Sequence, residues 1–70
     1  MPTIVANGKP RVIPDGSTIV DLLDDAGWKP QWVVVERNGE PVERSAFGDV
    51  ALNDGDTLEI VRAVAGGAAP

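Results

Sequence analysis

The run Thr57-Leu58-Glu59-Ile60-Val61-Arg62-Ala63-Val64-Ala65-Gly66-Gly67-Ala68-Ala69-Pro70 begins in one regime and finishes in another. Its first eight residues are rich in β-branched side chains and follow a turn signal, Asn53-Asp54-Gly55-Asp56, so they read as a strand. Alternation puts Leu58 and Ile60 on one face of that strand and Val61 and Ala63 on the other. The remainder is glycine, alanine and proline. A strand that ends in such a segment can feed backbone, free of side chains, into a narrow site on another protein. An ordinary frayed terminus has the same composition, so the rest of the chain must discriminate.

Seventy residues make one domain. We expect that domain over residues 1–65 and a flexible tail over 66–70. There is no cysteine and no histidine. Disulfides, thiolate metal sites and the commonest general base are therefore excluded. Net charge is −5, which disfavours nucleic acid as a partner and fits a chain that docks on basic or mixed surfaces. No apolar run approaches the ~20 residues of a membrane span, and Met1-Pro2-Thr3-Ile4-Val5 lacks the pattern of a signal peptide. The expectation is a soluble cytoplasmic protein that binds neither membrane nor metal. A body of this size cannot enclose a substrate pocket of about 300 Å³ or more, so a self-sufficient enzyme is not expected.

Upstream, Thr3 to Asn7 and Pro10 to Ile13 flank Asn7-Gly8 and read as a hairpin, because both turn positions tolerate positive φ. Ser17 or Thr18 caps a helix, with Asp21 completing a shortened capping box. Ile19, Leu22, Leu23 and Ala26 fall on one helical face. Gly27 stops the helix and Pro30 prevents its resumption. Asp24 and Asp25 lie unfavourably near the negative end of the helix dipole. Trp32 to Arg37 is a β run that turns at Asn38-Gly39 into a short return, Glu40-Pro41-Val42, in which Pro41 lacks the donor a central strand needs. Val33 and Val35 point inward, Val34 and Glu36 outward. Glu43 to Phe47 is a single helical turn or a loop that plugs Phe47 into the edge of the core. Leu52 anchors the loop from Gly48 to Asp56, and Trp28 packs over the helix end. Strands around one helix indicate α+β, with a mixed sheet of four to five strands packed on that helix. The last strand is protected on both edges if it lies inside the sheet, parallel to the first. That arrangement is the ubiquitin-like β-grasp.

Three stretches together resemble the ThiS family of sulfur carriers: Asn7-Gly8; Glu36-Arg37-Asn38-Gly39-Glu40 with Val42 and Arg44-Ser45-Ala46-Phe47; and Asp54-Gly55-Asp56 running through Thr57-Leu58-Glu59-Ile60-Val61 to Gly66-Gly67. The resemblance implies that an activating enzyme of the ThiF/MoeB type, using ATP and magnesium, adenylates the carboxylate of Gly67. A thiocarboxylate then forms there, and thiazole synthase, ThiG, takes the sulfur for thiamin. This chain would bind no cofactor itself and would serve as co-substrate. Gly66 and Gly67 suit the role because glycine lacks a Cβ and threads narrow channels. Ala68-Ala69-Pro70 departs from the family pattern by blocking the Gly67 carboxylate, and a peptidase that removes these residues would restore it. Docking is expected on the outer sheet face beside the tail, through Trp32, Val34, Val61, Ala63 and Val64, with Arg62 available to an acidic partner site. Rival readings are a MoaD-like or other pathway-specific sulfur carrier, a ubiquitin-like modifier of lysines, and an interaction module without terminal chemistry.

Overall fold

The computed structural model describes residues 1–63. Strands β1 (Thr3–Ala6) and β2 (Lys9–Val12) form the first hairpin, and β3 (Val33–Arg37) and β4 (Glu40–Val42) form the second. Helix α1 (Ile19–Ala26) lies between the hairpins in sequence, and β5 (Thr57–Arg62) comes last. The sheet order is β2-β1-β5-β3-β4, with β5 parallel to β1 and antiparallel to β3. The last strand thus occupies the central slot. This is the β-grasp expected from the sequence, with five strands.

Local chemistry accounts for the elements. Asn7 and Asn38 have φ of 52° and 53°, and the glycines after them are also positive, as tight hairpin turns of this hand require. Thr18 caps α1: its hydroxyl accepts from the Asp21 amide, and the Asp21 carboxylate accepts from the Thr18 amide. The Val20 amide donates to the Phe47 carbonyl, so the loop after β4 satisfies another free amide of the first turn. At the other end Gly27, at φ 82°, lets its own amide reach Asp24 and the Trp28 amide reach the Leu23 carbonyl. Asp25, at the unfavourable end of the dipole, pairs with Arg11 of β2 at 2.7 Å.

The core is filled by Ile4, Leu58, Ile60, Val33 and Val35 from the sheet against Ile19, Leu22 and Leu23 from the helix, closed by Ile13, Phe47 and Leu52. Phe47 is fully enclosed rather than set at the core edge, because the 3-10 turn Arg44–Ala46 swings it beneath the start of α1, where its carbonyl meets Val20. Ala26 is exposed, unlike the other residues of its helical stripe: it lies in the last turn, beside an open hollow between the helix and the sheet that Lys9 and Trp28 also line. Trp32 is not part of β3. It ends a 3-10 turn, Pro30–Trp32, begun by the fixed φ of Pro30 and closed by its amide on the Lys29 carbonyl. Strand β5 ends at Arg62 rather than running to Val64, which lies outside the described residues together with the 66–70 tail.

Candidate functional site

Everything that fixes β5 also fixes the place from which residue 64 onward departs. Two hairpin asparagines do more than turn the chain. The Asn7 side chain accepts from the Ile60 amide at 2.7 Å and donates to the Ile60 carbonyl at 3.1 Å. It thereby extends the short β1–β5 ladder, which pairs only Val5 with Thr57 and Ala6 with Leu58. The Asn38 side chain accepts from the Thr57 amide at 2.9 Å and donates to Asp56 at 3.1 Å.

Asp56 is the hub at the start of β5. It is buried, and it accepts from the Asn53 amide at 2.8 Å, from Arg37 at 3.0 Å and from Asn38. Burial alone pushes its carboxyl up. The Asn53 amide, the Asn38 side chain and the Arg37 guanidinium outweigh that and hold it below the ordinary carboxylate value. The two central residues of the Asn53–Asp56 turn are tied to β1, through the Gly55 amide on the Thr3 carbonyl and the Thr3 amide on Asp54.

At the exit, the Ala63 amide donates to the Trp32 carbonyl at 2.8 Å, so the end of β5 is fastened to the turn before β3. The expected docking residues divide here between two faces. Val34 and Val61 are opposite one another in the β3–β5 ladder, both exposed on the outer face. Arg62 follows the parity of Leu58 and Ile60 and points to the opposite face, its guanidinium 5.9 Å from the Trp28 ring centroid. Trp32 and Ala63 line a groove with Trp28, Lys29 and Arg62. Val64, Gly66 and Gly67 lie outside the described residues.

One pair was not singled out from sequence. Glu36 and Glu59 are direct cross-strand neighbours on the outer face, beside Val34 and Val61. Like charges in that position are unfavourable to the isolated sheet. None of the chain's six lysines and arginines shares that face. Arg11 pairs with the helix, Arg37 with Asp56, Arg44 with the Pro30 and Gln31 carbonyls, and Arg62 covers Trp28. Lys9 lines a hollow with Leu22, Ala26 and Trp28 on the helix side, and Lys29 lines the groove. The outer face thus offers a valine pair and two carboxylates with no cation. Outward alternation of Glu36 and Glu59 was legible, but their adjacency required the β3–β5 register. Among the described residues no group of three or more acidic side chains is placed to hold a metal ion.

Comparison with known proteins agrees with this architecture. The family model described as "ThiS family" matches residues 4–67, so the match ends on Gly67. The chain is 44% identical over 64 residues to a thiazole synthase of Paramagnetospirillum magneticum, covering 91% of this chain but spanning only 20% of that protein's length. It is 42% identical over 53 residues to the sulfur carrier protein ThiS of Bacillus subtilis, covering 76% of this chain and 80% of that one. The crystal structure of the thiamine biosynthesis protein ThiS from Geobacter metallireducens superposes with a TM-score of 0.73 at 34% identity, over 87% of this chain and 93% of that one. Near-complete coverage by the family model, a curated relative of matching length and a shared five-stranded β-grasp together place this chain in the ThiS family.

Proposed function

We propose that the chain is a sulfur carrier for thiazole formation in thiamin biosynthesis, with Gly67 as its chemical group. The observation that carries this reading is the family match, which runs from the first strand to Gly67 and leaves Ala68, Ala69 and Pro70 outside it. In the proposed cycle the Gly67 carboxylate attacks the α-phosphorus of ATP on an adenylating enzyme of the ThiF/MoeB type, with magnesium supplied by that enzyme, and pyrophosphate leaves. A sulfur nucleophile then displaces AMP from the acyl adenylate and leaves a thiocarboxylate. Thiazole synthase takes the sulfur. The chain brings no acid, base or metal to these steps and acts as co-substrate in the cytoplasm. Its own contribution is to hold β5 in place through Asn7, Asn38 and Asp56.

The outer face carries the docking in this reading. A valine pair flanked by Glu36 and Glu59, with no cation beside them, is complementary to an apolar patch bordered by arginine or lysine on the adenylating enzyme. The like-charge cost is then relieved only in the complex. Residues 68–70 are removed by a peptidase before activation, which exposes the Gly67 carboxylate. The relationship to a thiazole synthase several times longer favours a second arrangement, in which a module of this kind works on the same polypeptide as its sulfur acceptor.

The test is a reaction of the chain trimmed to Gly67 with ATP, magnesium, an adenylating enzyme and a sulfide source. Intact-mass measurement is expected to show the exchange of one oxygen for one sulfur. No exchange with an enzyme that loads another ThiS protein overturns the reading. Protein isolated from its native host is expected to lack Ala68, Ala69 and Pro70.

A further inference from the structure

The face opposite the valine pair has a feature that the carrier chemistry does not use. Gly27, Trp28, Lys29, Trp32, Arg62 and Ala63 line an open groove of about 380 Å³. Both tryptophans of the chain are in it. Trp32 is 56% exposed, an unusual position for so large an apolar side chain. The groove wall is pinned in place. Arg44 donates to the Pro30 and Gln31 carbonyls, which holds the turn that presents Trp32, and the Ala63 amide holds the Trp32 carbonyl. Lys29 and Arg62 add two cations, and neither forms an ion pair among the described residues, although the chain as a whole carries a net charge of −5.

We propose that this groove is a second docking site, taking an acidic segment of thiazole synthase, one that carries a carboxylate and an adjacent apolar side chain. The inference rests on the carrier reading above. Three observations select the occupant. The two cations in an acidic protein call for carboxylates. The exposed indole of Trp32, beside the Arg62 guanidinium that covers Trp28, calls for an apolar or aliphatic group, since tryptophan and arginine in a recess are the residues on which interfaces concentrate their energy. The groove includes Ala63, the residue directly before the 64–67 stretch that thiazole synthase must engage in the carrier reading. Thiazole synthase is selected because a relative joins a module of this kind to that enzyme. The adenylating enzyme is assigned to the outer face, where the charge has the opposite sign. The two faces of β5 therefore sort two partners by charge, and the carrier can be handed on without both enzymes competing for one patch.

The experiment measures binding of the chain to thiazole synthase by calorimetry, for the unaltered chain, K29E, K29E/R62E and K9E. Lys29 makes no side-chain contact that folding needs, so K29E keeps the test open if the double variant unfolds. Reversing both charges is expected to weaken binding about tenfold or more, K29E alone by about threefold, and K9E by less than twofold. The unaltered complex is expected to weaken with added salt, and K29E/R62E to lose most of that dependence. A chain labelled with 5-fluorotryptophan gives two fluorine resonances, both from the groove, and both are expected to shift on saturation with thiazole synthase. Unchanged resonances, or equal weakening by K9E and K29E, overturn the groove proposal while leaving the carrier reading intact. Failure of the unaltered, trimmed chain to bind thiazole synthase overturns both.

Discussion

Replacing Asp56 by alanine removes the acceptor of three donors at once. The Arg37 guanidinium, only 23% exposed, loses its carboxylate, and the Asn53 amide and the Asn38 side chain lose their partner. Hydrogen bonds to a charged group contribute about 1.5–3 kcal/mol each, but they are not additive, and Arg37 recovers part of its loss by turning to water. A net cost of about 3 kcal/mol follows. In a domain of this size, whose whole stability is on the order of 3–5 kcal/mol, that leaves little. At about 4–8 °C per kcal/mol, Tm falls by about 12–24 °C. D56N keeps one acceptor oxygen for the Asn53 amide but loses the charge and sets an NH2 against the Asn38 donor, so it should cost about 2 kcal/mol, less than D56A. Urea unfolding followed by circular dichroism, with equal m-values across the series, is the assay. The pH dependence gives an independent check. Asp56 titrates near 3.9 when unfolded and lower when folded, so its contribution is complete above about pH 5 and is lost as pH falls through the folded value. The gap between the unaltered protein and D56N should therefore be constant from about pH 5 to 7 and close in stronger acid. A D56A protein within about 0.5 kcal/mol of the original at pH 7 would refute the assignment of Asp56 as the hub.

Asn7 separates turn strain from strand clamping. N7G relieves the positive φ but loses both bonds to Ile60 and should cost about 1–2 kcal/mol, whereas N7A keeps the strain as well and should cost about 1 kcal/mol more by thermal unfolding. T18A removes the capping box of α1 and should lower stability by about 1 kcal/mol in the same assay. V61K places the first cation on the outer face at a position 61% exposed; it should leave Tm nearly unchanged and weaken binding to the adenylating enzyme by about tenfold, read by calorimetry.

The parts of the fold legible in the sequence are those determined within a few residues. Asn-Gly at both hairpins, Thr18 with Asp21, and the alternation of Val33 to Glu36 all point to local geometry that the structure adopts. Placement of β5 in the centre followed from the need to protect its edges. The clamps on β5 were not legible, because Asn7 and Ile60 are separated by 53 residues and a turn asparagine is sufficiently explained by its own φ. Asp56 read as one more residue of a turn, and its burial emerges only when the β3–β4 turn closes over it. The site was half legible. Val34 and Val61 share a face as their alternation requires, but Arg62 was grouped with them although its parity with Leu58 and Ile60 already placed it on the other side. Trp32 was taken for a strand residue because its β propensity is high. The proline two residues earlier was the contrary signal, and it set the turn that builds the groove.

The sulfur of the thiazole is traced most directly by isotope. The trimmed chain is loaded with a heavy-sulfur isotope at Gly67, freed of excess sulfide, and mixed with thiazole synthase and its remaining substrates in a single turnover. Mass spectrometry of the thiazole then reads the result directly. The expected product carries the heavy isotope in an amount matching the loaded chain, with Gly67 returned to a carboxylate. A thiazole of ordinary isotopic composition, formed while the thiocarboxylate stays on Gly67, would contradict the carrier reading.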